Sequence, residues 1–112
     1  MNDQISPDPV MPNYGEVCVT ELIPTFLEGK KEPNWIPEEV LASRQVVLFI
    51  LDGLGWHQFM ERISGLPTLS QFTGGPITTV APSTTAAALT SITTGVPPGE
   101  HGLVGYRIPI DI

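Results

Sequence analysis

Six consecutive apolar residues, Val46, Val47, Leu48, Phe49, Ile50 and Leu51, end abruptly at Asp52-Gly53-Leu54-Gly55. Uninterrupted, β-branched-rich runs of this length mark strands covered on both faces, as in a parallel sheet. A membrane-crossing helix needs roughly 20 apolar residues, so the run is too short to be one. After it, Trp56, Phe59, Met60 and Ile63 repeat at helical spacing. A short helix is predicted over 66–72, closed by Gly74-Gly75, and a second strand over 76–80. Ala81-Pro82-Ser83 reads as a turn. Thr84 or Thr85 then caps an alanine-rich helix ending at Gly95, a residue suited to the left-handed C-terminal position. Alternating strands and helices in this order predict an α/β fold with a parallel sheet.

Upstream the chain differs in character. Of its twelve acidic residues, Asp3, Asp8, Glu16, Glu21, Glu28, Glu32, Glu38 and Glu39 precede residue 44. Residues 1–44 are expected to form an N-terminal arm with short helices, and 45–112 a separate region. The first fourteen residues read as an extended arm. Residues 19–27 predict a short helix with Thr20 as N-cap, and Pro24 is tolerable because it lies near the first turn. Residues 29–35 read as a loop. Pro37 is expected at the first position of a second short helix, with Glu38 and Glu39 near the positive end of its dipole. Two strands are few for a sheet covered on both faces. The chain also stops at Ile112 within the apolar stretch 108–112, so it is expected to be the N-terminal piece of a longer protein.

Five basic residues against twelve acidic ones give a net charge of −7, which argues against a nucleic-acid duplex as partner. Cys18 is the lone cysteine, and the first twenty residues lack a basic start and an apolar stretch. The expectation is a soluble, cytoplasmic protein that does not bind membranes.

Two places invite chemistry. Asp52 follows a strand, and ligands of open α/β sheets bind beyond the carboxyl ends of strands, so it is placed for a metal; it equally suits an Asp-Gly turn that bonds local backbone. Ser83, Thr84 and Thr85 bring hydroxyls to a helix start, where free N–H groups and a partial positive charge favour an alkoxide or a phosphoryl group; they also suit plain capping. His57 reads as a surface residue, and His101 as a residue that fixes its loop. No short-spaced His, Cys and Asp cluster has the convergence of a zinc site. The sequence GLGWHQ lacks the third glycine of a dinucleotide fingerprint.

Taken together, VVLFILDGLG and APSTTAAALTSITTGVPPGEHGLVGY resemble the type I phosphodiesterase and nucleotide pyrophosphatase family of the alkaline phosphatase superfamily. The resemblance implies an alkaline-phosphatase-like parallel-sheet sandwich with helices on both faces, of which 45–112 would be the first, truncated part. It implies Asp52 as a metal ligand and Thr85 as both nucleophile and metal ligand, with Thr84 as the alternative register. The implied cofactors are two divalent metal ions, zinc, whose other Asp and His ligands lie far downstream in the family. The implied reaction is hydrolysis of a small-molecule phosphodiester or pyrophosphate through a phospho-threonine. Nucleotide-cleaving members carry an Asn shortly after the nucleophile, where this chain has Ala86-Ala87-Ala88. The sulfatase pattern is absent. A phosphomonoesterase of the same superfamily, or a non-catalytic fragment or binding module, are the alternatives.

Overall fold

The computed structural model describes residues 8–29, 33–107 and 109–110. The start of the expected arm (1–7), part of the 29–35 loop and most of the apolar end (108–112) lie outside the described residues.

Among the described residues there are five short α-helices: α1 (Leu22–Glu28), α2 (Glu38–Leu41), α3 (Trp56–Arg62), α4 (Thr85–Thr94) and α5 (Pro98–His101). The longest, α4, lies at the centre and packs against α1, α5 and the 3-10 turn Val19–Glu21. Small residues make that approach possible. Ala87 and Ser91, one turn apart on α4, are fully buried, and with Ile92, Cys18, Thr20 and Val80 they form a small core. At the far end of α4, Gly95 adopts the left-handed conformation, with φ 75°. A side chain there would collide with the Pro24 ring of α1, so glycine is required both by backbone and by packing.

Several local expectations shift. Thr20 does not cap a helix: it lies within the Val19–Glu21 turn, buried in the core, and its hydroxyl donates to Glu21 Oε1 at 3.2 Å. Pro24 is the third residue of α1. Pro37 stands one position before the helix rather than in it, because its ψ of 140° is extended. Its carbonyl accepts from Val40 and Leu41 instead. The helix expected over 66–72 shrinks to a single 3-10 turn, Leu69–Gln71. There the Ser70 hydroxyl and Gln71 amide both donate to the Pro67 carbonyl, a local alternative to helical bonding.

The two expected strands fare differently. Residues 76–80 contribute one parallel bridge, between Thr78 and Cys18, with Val19 N–H donating to Thr78 O and Thr78 N–H to Val17 O, both at 3.0 Å. The partner is thus the N-terminal segment and not 46–51. Residues 46–51 form no helix and pair with no strand among the described residues. Val47 is 91% and Phe49 72% exposed, so the run is not covered on either side as expected. A strand is held by backbone bonds to neighbours, and the described chain offers this segment none. The radius of gyration, 16.2 Å, exceeds the roughly 13 Å of a compact chain of this length.

Candidate active site

The turn that ends the apolar run is well defined. Leu54 N–H donates to Leu51 O at 3.3 Å, with Asp52 and Gly53 at the two corners. Gly53 has φ 76°, which a type II turn demands of its second corner. Asp52, at the first corner, is exposed and makes no local backbone bond with its carboxylate. Instead Oδ2 accepts from the Thr85 hydroxyl at 3.0 Å, across 33 residues of chain.

Thr85 is the first residue of α4, and Thr84 is its N-cap. Neither hydroxyl caps the helix: that of Thr85 donates to Asp52, and that of Thr84 donates to Val104 O at 3.0 Å. The N-terminal N–H groups of α4 therefore keep no side-chain acceptor, and its first turn carries no acidic residue. An exposed hydroxyl thus sits beside a carboxylate at the open, partially positive end of a ten-residue helix. Such an arrangement can fix an alcohol's orientation and receive an anionic oxygen next to it.

The turn before α4 is tied down from the N-terminal side. Tyr14 Oη accepts from Ala81 N–H at 3.0 Å, Asn13 N–H donates to Thr78 Oγ1 at 2.9 Å, and Thr78 Oγ1 donates to Val17 O at 2.8 Å. Behind the site, His101 is held at both ring nitrogens. Nδ1 accepts from Leu103 N–H at 3.0 Å, and Nε2 lies 2.8 Å from the buried Ser91 Oγ. His57 is exposed on α3. Tyr14 and Ser91 carry no sequence signal for these roles, except that Ser91 shares the small-residue stripe of α4 with Ala87.

As a metal site, Asp52 and Thr85 offer two neighbouring oxygens of the kind hard cations and zinc accept. Zinc takes three or four protein ligands, and among the described residues no group of three or more His, Cys, Asp or Glu stands ready to hold an ion. The pair fits one edge of a metal centre and does not complete one.

No curated protein and no solved structure matches the chain. The type I phosphodiesterase / nucleotide pyrophosphatase family matches residues 46–110, more than half of the sequence and the stretch that holds Asp52, Thr84, Thr85, Ser91 and His101. The chain therefore belongs to the type I phosphodiesterase / nucleotide pyrophosphatase family, a family of phosphate-ester hydrolases.

Proposed function

We propose that the chain carries the nucleophile of a phosphoryl-transfer centre that hydrolyses phosphodiester or pyrophosphate bonds of small molecules. The observation that supports this most is the 3.0 Å hydrogen bond from Thr85 to Asp52 at the uncapped start of α4. A threonine hydroxyl is a weak nucleophile unless a base or a metal activates it. The Thr85 proton lies toward Asp52 Oδ2, so the carboxylate is the group in line to hold it as Oγ1 attacks. In that step the Oγ1–P bond forms as the P–O bond to the leaving group breaks, leaving a phospho-threonine that water then hydrolyses. The free N–H groups of α4 face the charge that gathers on the phosphoryl oxygens. When bound, two divalent ions, zinc by resemblance, would lower the hydroxyl's pKa and neutralise phosphoryl charge. Asp52 and Thr85 would each give one of them an oxygen, with the other ligands supplied from outside the described residues. Ala86, Ala87 and Ala88 follow Thr85 where nucleotide-cleaving members carry an Asn. The contact that Asn makes to the phosphoryl oxygens is then missing or supplied elsewhere.

The test is turnover of a chromogenic phosphodiester by the intact protein with zinc supplied. Thr85→Ala should lower kcat by roughly a thousand-fold or more, while Thr85→Ser, which keeps the hydroxyl, retains part of it. Equal loss in both variants, or full activity in Thr85→Ala, would remove Thr85 from the reaction.

A further inference from the structure

We propose that His101 is a positioning residue for the Thr85 nucleophile, acting through hydrogen bonds joined by short stretches of backbone, and this inference rests on the reading of Thr85 given above. The chain starts in the core. Ser91 is fully buried on α4 and its Oγ meets His101 Nε2 at 2.8 Å. Because His101 Nδ1 accepts from Leu103 N–H, the tautomer that fits this geometry carries its proton on Nε2 and donates to Ser91. Gly102, with φ 77°, reverses the chain after α5 and returns Leu103 N–H to the ring. The next residue, Val104, presents its carbonyl to the Thr84 hydroxyl at 3.0 Å. Thr84 is the N-cap of α4 and the immediate neighbour of Thr85. The imidazole thus joins the interior of α4 to the loop that grips its N-terminus.

This arrangement does something a simple cap cannot. The Thr84 hydroxyl turns to Val104 and accepts from none of the first N–H groups of α4, which stay open beside Thr85. The Ser91–His101 contact sets where Val104 lies, and Val104 sets the entry of the chain into α4. His101 itself need not touch substrate. Removing it should displace Thr85 relative to Asp52 although neither residue is itself altered. Displacements of about 1 Å in a reacting group cost up to about a hundred-fold in rate.

The experiment compares the intact protein with His101→Ala, His101→Asn and Thr84→Val by amide NMR and by phosphodiester kinetics. His101→Asn keeps an acceptor within reach of Leu103 N–H. In wild type, the His101 side-chain nitrogens should report the Nε2–H tautomer. In His101→Ala the amide signals of Thr84, Thr85 and Ala86 should shift and kcat should fall roughly ten- to a hundred-fold, with KM within about twofold. His101→Asn, which keeps the acceptor for Leu103 and has no group at the Nε2 position facing Ser91, should recover part of both effects. Thr84→Val, at an exposed residue, cuts the chain one link further on and should lower kcat as His101→Ala does. The double variant should then be no worse than the poorer single. Thr84→Val serves alone if His101→Ala does not fold. Unmoved signals at 84–86 with unchanged kcat, fully additive losses, or no rescue by His101→Asn would overturn the proposal. A wild type without phosphodiesterase activity would instead count against Thr85 as nucleophile, and the amide signals would still decide whether His101 holds the start of α4.

Discussion

At the scale of single residues, the decisive fact is that two side chains with ordinary local uses are not put to them. An Asp before Gly commonly bonds its own turn, and a Thr at a helix start commonly caps. Here Asp52 and Thr85 bond each other, and Thr84 bonds Val104. Thermal unfolding of Thr85→Ala should therefore match wild type to within about 0.5 kcal/mol, since an exposed hydroxyl that caps nothing is lost. A loss of about 1 kcal/mol or more would mean that Thr85 does cap α4. Asp52→Asn offers the complementary case. The amide oxygen can still accept from Thr85, so Tm should hold while turnover of a phosphodiester falls by roughly a hundred-fold or more for want of the negative charge. Turnover unchanged in Asp52→Asn would show that the charge plays no part in the reaction.

At the scale of elements, α4 and its ends were the most legible part of the sequence. Thr84 before an alanine-rich run and Gly95 after it are local signals, and both ends of the helix fall where those signals put them. The packing reason for Gly95 was not legible, because Pro24 lies far away in the chain. Gly95→Ala should cost about 1 kcal/mol or more, from left-handed strain together with the collision against Pro24. Gly99→Ala is the contrasting change. Gly99 has open space around it and no left-handed φ, so alanine should be neutral or add about 0.4–1 kcal/mol. Denaturant unfolding of the two variants would separate these effects, and equal losses would show that neither strain nor the Pro24 contact matters. Thr20 was misread for the opposite reason. Its pattern matched a cap, but its turn packs against α4, and burial there took precedence over the local preference. Hydrogen bonds such as Ser91 to His101 leave no periodic trace and could not be read from spacing.

At the scale of the whole molecule, the apolar run 46–51 poses the largest question. Its composition is that of an inner strand, yet it is exposed and unpaired among the described residues. A strand's existence can be read locally, whereas its partners cannot, because pairing joins distant segments. We propose that 46–51 is an inner strand of an alkaline-phosphatase-like parallel sheet whose neighbours lie outside the described residues. Hydrogen exchange of the intact protein should then find the amides of 46–51 among its slowest, and rapid exchange there would count against such a sheet. The placement of Asp52 and Thr85 does not wait on that result, since the turn after the run and the start of α4 already meet. What the intact protein does with that meeting can be asked directly. The intact protein is allowed to turn over a phosphodiester, quenched in acid, digested and examined by mass spectrometry for a phosphorylated peptide from 83–94. A phosphoryl group is expected on Thr85 and should be absent from Thr85→Ala. Turnover with no phosphorylated peptide, or with the phosphoryl group on Ser83 or Thr84, would contradict it.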